Sequence, residues 1–466
     1  MIDAQQLSAL LVRYEGHGPR YTSYPTALHF NENFRIEDYQ EQVALSNQLL
    51  VPRPLSLYIH VPFCASLCYY CGCNKVVTRN QNRAAEYVEI LSREIALRAQ
   101  SFADDRLIQQ IHFGGGTPTF LSIAQIQEVL ELIAQSFHLG LPHNLEMGIE
   151  IDPRSVSVED MERLIELGFN RFSFGIQDLN PEVQKAVNRE QCFDKIKALV
   201  KRARELQIKS ISFDLIYGLP LQTPDSFHRT LQEIIEVKPD RLALYNYAHM
   251  PDRMPSQRLI KAEELPSSVD KLTILSDSII SLSKAGYEYI GMDHFALPDD
   301  SLAKAQRDGS LQRNFQGYST NAEADLIGLG VSSISRINES YSQNATDLAT
   351  YTKLLDKEVL PIAKGLVMSR DDVVRADLIQ RLMCGERIEY AAFGAEHDLV
   401  FEQYFEHELA QLERIKHDGL LAADEVGFQV TELGRVFLRN IAMCFDHYLR
   451  SPSRDNEKTL RYSKTI

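Results

Sequence analysis

Short apolar runs alternate with longer amphipathic stretches between residues 55 and 250. The runs are rich in β-branched and aromatic residues, which predicts strands, and apolar residues recur in the stretches at helical spacing, which predicts helices. Strands are predicted over residues 57–61, 110–113, 146–151, 171–175, 210–216 and 241–247, and helices over 84–100, 123–137, 158–167, 192–206 and 225–237. Six such repeats imply parallel strands, right-handed crossovers and a partial (β/α)6, TIM-like barrel. Ligands of such a fold bind at the carboxyl ends of the strands.

The pattern changes on both sides of this region. We expect an N-terminal arm over residues 1–45, the barrel over 46–335, a linker over 336–364, a C-terminal domain over 365–450 and a polar tail over 451–466. The C-terminal domain is predicted to be mostly helical, with helices over 371–383, 401–418 and 432–439 and a strand over 427–430. That order is similar to a winged helix, so one interpretation is a DNA-binding regulator. The other is a cap that covers the open side of the barrel.

The charge of the chain argues against a nucleic-acid partner. The 49 Lys and Arg residues against 64 Asp and Glu residues give a net charge of −15. A binding site for an anion would therefore have to be a local basic pocket, since clefts focus the field of nearby charges. The 466 residues, 44% of them hydrophobic, predict two or three globular domains. We see neither a membrane-spanning apolar run nor a secretory leader, and expect a soluble protein without membrane insertion.

Four of the seven cysteines follow the first predicted strand within ten residues. Cys64, Cys68 and Cys71 have the spacing C-x3-C-x2-C, which lets three thiolates bind three irons of one cubane and leaves the fourth iron open. An open iron can chelate a small molecule, so this loop predicts a catalytic 4Fe–4S cluster. The free cysteines also indicate a reducing compartment, the cytoplasm.

A structural zinc ion is the alternative for this loop, with Cys73 as the fourth ligand. Structural zinc normally uses two well-separated ligand pairs, and a C-x-C step crowds a single tetrahedron. The remaining cysteines are scattered through the chain, which argues against a disulfide framework. The spacing therefore favours iron and sulfur over zinc.

Small and polar residues follow the next strands. The sequence GGGTP at residues 114–118 comes after the second strand, and its glycines allow a ligand to approach the backbone closely. No Gly-Lys-Ser/Thr follows, which argues against a nucleotide phosphate loop. Glu150 ends the third strand, Gln177 follows the fourth and Asp214 lies in the fifth. Each alone is more often structural than functional, but all of them fall at the edge where ligands bind.

These motifs carry a resemblance. The cysteine spacing, with the aromatic Tyr70 before the third cysteine, resembles that of radical S-adenosylmethionine (SAM) enzymes. The longer pattern resembles the oxygen-independent coproporphyrinogen III dehydrogenase family of haem biosynthesis. The motifs of that narrower match are GPRYTSYP at 18–25, CGC at 71–73, GGGTP at 114–118, GMDHF at 291–295 and RNFQGY at 313–318.

The resemblance implies cofactors and residues for them. It implies one 4Fe–4S cluster on Cys64, Cys68 and Cys71 and two molecules of SAM, one of them on the open iron. The residues that match contacts to the first SAM are Gly115, Gly116, Thr117, Glu150, Ala248 and Ile334, and Tyr58 and Tyr70 match further cofactor-binding residues of the family. The residues that match contacts to the second are Gln177, Arg189 and Asp214. The roles of Cys73 and His294 stay open, and no catalytic residue is assigned.

The resemblance also implies the reaction. Reductive cleavage of SAM would give a 5′-deoxyadenosyl radical, which would convert two propionates of coproporphyrinogen III into vinyl groups and yield protoporphyrinogen IX. We expect Arg20 and Arg313, from their motif contexts, to bind the substrate carboxylates. An electron-donor protein of unknown identity would reduce the cluster, and we expect a monomer.

The alternatives differ in their use of the N-terminal arm and of Cys73. A haem-binding chaperone shares the three-cysteine loop, but it typically begins near the first strand and has an apolar residue at the position of Cys73. Residues 18–26 contain two prolines and two tyrosines, so the arm is either packed structure or a strap over the active site. In the second case Tyr21 and Tyr24 would be available to stack on a flat macrocycle.

Overall fold

A sheet of mainly parallel strands forms the centre of the computed structural model, which describes residues 4–320, 324–450 and 462. Its strands are β1 Leu55–Val61, β2 Leu107–Gly115, β3 Glu146–Ile151, β4 Arg171–Gln177, β5 Ser210–Tyr217, β6 Arg241–Asn246, β7 Glu288–Gly291, β8 His294–Ala296, β9 Asp325–Leu329, β10 Ile334–Ile337, β11 Ser340–Asn344 and β12 Ile362–Val367. The spatial order is β7-β8-β6-β5-β4-β3-β2-β1-β9-β10-β11-β12. Strands β1 to β6 are parallel neighbours, so the predicted partial barrel of six repeats is confirmed.

Helices connect and cover the strands. They are α1 Ala4–Arg13, α2 Ile36–Asn47, α3 Asn82–Ala99, α4 Ile123–Ser136, α5 Val158–Glu166, α6 Pro181–Ala186, α7 Phe193–Glu205, α8 Pro224–Val237, α9 Ser268–Lys284, α10 Ser301–Asp308, α11 Leu348–Leu355, α12 Arg370–Cys384, α13 Tyr390–His397, α14 Phe401–Tyr404, α15 Glu406–His417 and α16 Leu438–Met443. Several begin at a capping box, as at Ser122 with Gln125 and at Ser157 with Asp160. These caps satisfy backbone N–H groups that a helix leaves free at its first turn.

Short strand pairs complete the structure. Phe63–Cys64 pairs with Val76–Val77, His138–Leu139 pairs with β2, and Gln312–Asn314 pairs with Gly317–Ser319. In the C-terminal domain, Arg387–Glu389, Leu421–Ala423 and Gly427–Val430 form a three-stranded antiparallel sheet beside helices α12 to α16. The mostly helical domain with a small β element therefore has the predicted character.

Residues 336–364 differ from the expected linker. They contain β11, α11 and the start of β12, and they extend the main sheet beyond β9 in antiparallel fashion. Strand β11 is not visible in the hydrophobic pattern because its buried side chains are largely polar, among them Ser340, Ser342 and Asn344. Buried polar groups of this kind persist where hydrogen bonds satisfy them.

The N-terminal arm is packed against the C-terminal domain. Tyr21 and Tyr24 are each only 3% exposed. The Tyr21 hydroxyl donates to Asp446 Oδ2 over 2.9 Å, and the Tyr24 hydroxyl accepts a hydrogen bond from the backbone N–H of His447. Both rings are therefore packed within the protein, and both hydroxyls are held by the C-terminal domain.

Two further expectations concern the outer parts of the chain. Apart from residue 462, the tail over residues 451–466 lies outside the described residues. Among the residues that are described, no helix has the length and apolar character needed to cross a membrane.

A buried carboxylate joins helix α3 to the far side of the sheet. Glu94 is fully buried and accepts hydrogen bonds from the backbone N–H of Gly330, from Asn344 Nδ2 and from the Tyr351 hydroxyl, at 2.6 to 2.7 Å. Arg98, one helical turn on, pairs with it at 3.4 Å. A buried charge with this many partners is stabilised in place, whereas loss of one partner leaves part of the charge uncompensated.

We predict that Tyr351→Phe lowers the free energy of unfolding by about 1.5–3 kcal/mol, because the buried Glu94 carboxylate loses a hydrogen bond. Urea denaturation measures the change. Tyr390→Phe, on helix α13 of the C-terminal domain, is the matched control. Equal midpoints for both variants and the unaltered protein would contradict the assigned role of this carboxylate.

Candidate active site

One cavity of about 710 Å³ lies at the carboxyl ends of strands β1 to β6. Residues from every strand end contribute to it, as the (β/α) topology requires. Thirteen of the sixteen site residues predicted from the sequence line this cavity: Arg20, Cys64, Cys68, Tyr70, Cys71, Gly115, Gly116, Thr117, Glu150, Gln177, Arg189, Asp214 and Ala248.

The cysteine loop leaves β1 and is held by the neighbouring segment around residue 188. The backbone N–H of Tyr69 donates to the carbonyl of Val187 over 3.0 Å, and Asn188 Nδ2 donates to the carbonyl of Leu67 over 2.7 Å. From the other side, Gln257 Nε2 donates to the carbonyl of Tyr70 over 3.0 Å. These contacts fix a loop that has almost no regular secondary structure of its own.

Hydrogen-bond donors surround the cysteine sulfurs. Thr117 Oγ1 donates to Cys64 Sγ over 3.4 Å, while Arg189 Nη1 and Arg154 Nη2 lie 3.4 and 3.6 Å from Cys68 Sγ. A hydrogen bond from Cys73 is the main cause that lowers the pKa of Cys71 to about 6. Burial instead raises the pKa of Cys64, and Thr117 partly offsets that effect. Positive charge and donors beside sulfur suit thiolate ligands, so these residues fit an iron–sulfur cluster.

The spacing of the sulfurs does not suit zinc. A tetrahedral zinc ion with bonds of about 2.3 Å would hold its sulfurs roughly 3.8 Å apart. In the described part of the chain, the one group of three possible ligand atoms within 4.8 Å of one another is Asp377, Glu396 and His397, which contains no cysteine. The sulfurs of the cysteine loop are therefore more widely spaced than a single zinc ion requires, which favours an iron–sulfur cluster over zinc.

The glycine loop after β2 packs against the end of β1. Gly115 has a φ of +117°, and a Cβ atom there would lie 2.7 Å from the ring of His60. A Cβ atom at Gly116 would lie 2.9 Å from the backbone of Pro62. The backbone N–H of Gly115 donates to Glu150 Oε2 over 3.2 Å. The glycines thus allow β1, the loop and Glu150 to approach one another, which sets the floor of the cavity.

Arg189 and Asp152 connect the strand ends to the cysteine loop. Arg189 is 7% exposed and donates to the carbonyl of Gly175 over 2.6 Å and to Asp152 Oδ2 over 3.3 Å. Burial opposes the charge of Asp152, but Arg189 and Arg154 outweigh it and hold the pKa of Asp152 below its ordinary value. Arg189 therefore contacts both the Asp152 carboxylate and the Cys68 sulfur, and these groups compensate its buried charge.

Two carboxylates face each other deeper in the cavity. Burial, followed by the negative charge of Glu150, raises the pKa of Asp214 to about 7, and a hydrogen bond from Ser173 Oγ over 3.1 Å partly offsets the shift. Asp214 is therefore half protonated near neutral pH, while Glu150 accepts the backbone donor of Gly115. The two groups offer a ligand different hydrogen-bonding character.

Three of the site residues predicted from the sequence do not line this cavity. Tyr58 lies next to Glu150 beneath the glycine loop, since a Cβ atom at Gly114 would meet both side chains within 2.8 Å. Ile334 begins β10 and packs beside the buried cluster around Tyr341. Arg313 lines a second cavity, described below.

Sequence reasoning missed several residues that shape the site. His60, Tyr245 and Met254 are examples: His60 packs on Gly115, and the other two line the cavity. His60 lies inside a strand and is distinguished by no local motif. Met254 follows β6 in an irregular segment. Only the fold brings these residues to the cavity.

Known proteins share this arrangement. The family model of the Radical SAM superfamily matches residues 58–234, and that of the HemN C-terminal domain matches residues 368–437. The oxygen-independent coproporphyrinogen III oxidase of Salmonella typhimurium is 48% identical over 446 residues, 96% of each chain. Its counterpart from Pseudomonas aeruginosa is 48% identical over 467 residues, 100% of each chain. The solved structure of coproporphyrinogen III oxidase (HemN) from Escherichia coli aligns with a TM-score of 0.90 and 47% identity over 94% of this chain and 98% of that chain.

A partial barrel with a three-cysteine loop after its first strand and a glycine loop after its second defines a radical SAM enzyme, whose cofactors are a 4Fe–4S cluster and SAM. Within that class, the chain belongs to the family of oxygen-independent coproporphyrinogen III oxidases. The fold, the enzyme class and the kinds of cofactor predicted from the sequence are confirmed.

We predict that Cys64→Ala, Cys68→Ala and Cys71→Ala each abolish the absorption and electron paramagnetic resonance signals of the 4Fe–4S cluster, because three thiolates are needed to hold the cubane. Cys73→Ala is the matched control from the same loop and should keep the cluster signals. Loss of the cluster in Cys73→Ala together with its retention in Cys64→Ala would show that the ligands are assigned wrongly.

The raised pKa of Asp214 predicts a pH effect on stability. Folding raises this pKa from 3.8 to about 7, so the folded state binds the proton more tightly and stability falls as the pH rises through this range. Without SAM, the free energy of unfolding of Asp214→Asn, measured relative to that of the unaltered protein, should therefore rise by about 2–3 kcal/mol from pH 5 to pH 8. Urea denaturation at both pH values measures the gain. Asp252→Asn, at an exposed carboxylate, should show none, and identical pH profiles for the two variants would refute the assignment.

Proposed function

We propose that this protein catalyses the oxygen-independent oxidative decarboxylation of coproporphyrinogen III to protoporphyrinogen IX. Two propionate side chains become vinyl groups. Each –CH2–CH2–COO⁻ group becomes –CH=CH2 by losing carbon dioxide, one hydrogen atom and one electron. The hydrogen atom would pass to the 5′-deoxyadenosyl radical, and the electron would pass to an external one-electron acceptor. Family membership supports the reaction, and the structure supplies a cavity suited to it.

The observation that carries this proposal is the position of Arg20. This arginine belongs to the N-terminal arm, far from the cysteines in sequence, yet it lines the same cavity. Its Nη2 atom lies 3.4 Å from the carbonyl of Asn246, and its guanidinium lies 5.9 Å from the centre of the Tyr245 ring. None of the described carboxylates pairs with it within 4.0 Å, so its charge is available to a substrate carboxylate at the cofactor cavity.

The residues around the cysteines provide the cofactor sites. Cys64, Cys68 and Cys71 would hold the cluster, and the glycine loop with Glu150 would bind the first SAM. When bound, these groups supply a 5′-deoxyadenosyl radical that abstracts the hydrogen atom from the substrate. Further contacts to the first SAM are assigned to Thr117, Ala248 and Ile334, further cofactor contacts to Tyr58 and Tyr70, and contacts to a second SAM to Gln177, Arg189 and Asp214.

The arm and the C-terminal domain would keep the reacting groups enclosed. Arg439 Nε donates to the carbonyl of Pro19 over 3.0 Å, and its Nη2 atom donates to the carbonyl of Gly18. Tyr21, on the other side of Arg20, is bonded to Asp446. Arg20 is thus clamped on both sides by the C-terminal domain, which holds its guanidinium at the cavity. A primary carbon radical reacts with many nearby C–H bonds, so an enclosed site protects the reaction.

The proposed function also bears on the oligomeric state, the electron donor and the cellular location. We expect a monomer as the functional unit. Reductive cleavage of SAM requires an electron from outside this chain, and we expect an electron-donor protein to supply it. All seven cysteines are free, which supports a reducing cytoplasm as the location.

Anaerobic reconstitution tests the proposed function. The protein with its cluster restored is supplied with SAM, a reductant and coproporphyrinogen III, and the products are separated after oxidation to porphyrins. We expect protoporphyrinogen IX with a matching amount of 5′-deoxyadenosine. Cleavage of SAM without any vinyl product would refute this substrate.

We predict that Arg20→Gln raises the KM for coproporphyrinogen III by about 10-fold, because it removes a charge-assisted contact to a carboxylate. The dissociation constant for SAM should not change. Steady-state kinetics and equilibrium binding measure the two quantities. An unaltered KM would exclude Arg20 as a substrate ligand.

We predict that Tyr21→Phe also raises this KM, because loss of the bond to Asp446 loosens the segment that carries Arg20. Tyr14→Phe is the matched control, since the Tyr14 hydroxyl joins the same arm to Asp418 at 2.7 Å but lies away from Arg20. In an Arg20→Gln background, Tyr21→Phe should have no further effect on KM. Equal effects of Tyr21→Phe and Tyr14→Phe would indicate a general role in stability instead.

A further inference from the structure

A second cavity, of about 780 Å³, lies across the arm from the cofactor cavity. Arg20 lines the first cavity, and the residues that follow it, 21–24, line the second, so the arm is the wall between them. The second cavity is also lined by residues 312–315 and by helix α12 of the C-terminal domain. Its volume is in the range of small-molecule sites.

Three arginines without an ion pair line this cavity. Arg53, Arg313 and Arg336 have no carboxylate within 4.0 Å among the residues that the structure describes, although most other buried arginines do. Arg313 is 6% exposed, and its Nε and Nη1 atoms have no hydrogen-bond partner. Burying a guanidinium without partners is costly, so Arg313 indicates a missing anionic ligand. Arg53 and Arg336 are half-buried and add two more positive charges to the same cavity.

The carboxylates at the cavity do not neutralise these arginines. Asp325 pairs with Arg106 at 2.6 Å, and Asp377 pairs with Arg381 at 3.0 Å. The third, Glu339, is exposed to solvent. The interior of the cavity therefore keeps an excess of positive charge within a chain whose net charge is −15.

Apolar side chains form the rest of the wall. Phe315 packs edge-on against Tyr341 with ring centres 5.9 Å apart, and Leu326 and Met368 lie beside them. An apolar wall with several cations suits a ligand that has a large apolar body and more than one carboxylate.

Arg313 lies between this cavity and the interior of the barrel. Its guanidinium lies 4.8 Å from the centre of the Tyr318 ring, which packs against His294 at 5.3 Å. His294 and Tyr318 line a small space inside the barrel together with Glu150 and Asp214, which also line the cofactor cavity. The second cavity has no lining residue in common with the cofactor cavity or with this inner space, so the arm and the packed rings of Tyr318 and His294 separate it from both.

We propose that the second cavity is a separate site for a tetrapyrrole that carries two propionates, the chemical form of the reaction product, and that it binds these propionates through Arg53, Arg313 and Arg336. Arg20, in the cofactor cavity, takes no part in this site. This inference rests on the proposed function and adds a product site apart from the cofactor cavity. It also gives the RNFQGY motif a role through its first residue, Arg313.

Binding of mesoporphyrin IX tests the proposal without any turnover. This stable fluorescent tetrapyrrole carries only the two retained propionates, with ethyl groups where vinyl groups would form. Its dissociation constant is measured by fluorescence on the anaerobic protein with its cluster. Arg53→Gln and Arg336→Gln should each weaken binding about 10-fold, whereas Arg20→Gln should leave it unchanged. Arg336→Lys, which keeps the charge, should recover part of the affinity.

Arg163→Gln, at an exposed arginine on helix α5 outside both cavities, is the matched control and should bind as the unaltered protein does. Unchanged affinity in the Arg53→Gln, Arg336→Gln double variant would overturn the proposal, as would an equal loss in Arg163→Gln or a loss confined to Arg20→Gln. Because binding is read independently of catalysis, a protein that binds mesoporphyrin IX as described but forms no vinyl product would refute the proposed function alone.

Discussion

The buried guanidinium of Arg189 is the interaction on which the cofactor site depends. It contacts the carbonyl of Gly175 at the end of one strand, Asp152 after another, and the sulfur of Cys68 in the cysteine loop. Burying a cation in this way is favourable only if its partners compensate it, and here the partners belong to three separate segments. The charge of one residue therefore fixes the cysteine loop relative to the strand ends. A loop with so little regular structure needs such a constraint to present three thiolates to one cluster.

The barrel and the segments added to it have different roles because a partial barrel is open on one side. Six repeats place cofactor ligands at the strand ends but leave one side uncovered. Strands β9 to β12 extend the sheet on one edge. The arm packs against the C-terminal domain and reaches the cofactor cavity through Arg20. The arm then contributes Arg20 to one cavity and a wall to the other. In the proposed function, the barrel supplies the chemistry, and the elements added to it bind the substrate carboxylates.

The parts of this structure that the sequence predicts are those with local signals. The six parallel strands, the cysteine loop and the glycine loop were predictable because each has a period or a spacing that its own segment dictates. The extra strands were missed because Ser342 and Asn344 are buried by hydrogen bonding and not by hydrophobicity. The sequence around Tyr21 and Tyr24 is equally compatible with stacking on a ligand and with packing in a core. Only the contacts of these tyrosines with Asp446 and His447 in the folded protein distinguish the two. The sequence predicts that Arg313 binds the substrate carboxylates, but its position in a second cavity depends on contacts between distant segments.

The central claim is that hydrogen abstraction from a substrate propionate takes place in the cofactor cavity of this chain. Isotope transfer tests it most directly. Coproporphyrinogen III deuterated at the propionate carbon attached to the pyrrole ring is incubated anaerobically with the reconstituted protein, and 5′-deoxyadenosine is analysed by mass spectrometry. The account predicts one deuterium in the 5′-deoxyadenosine formed with each vinyl group. Vinyl product accompanied by 5′-deoxyadenosine without deuterium would contradict it.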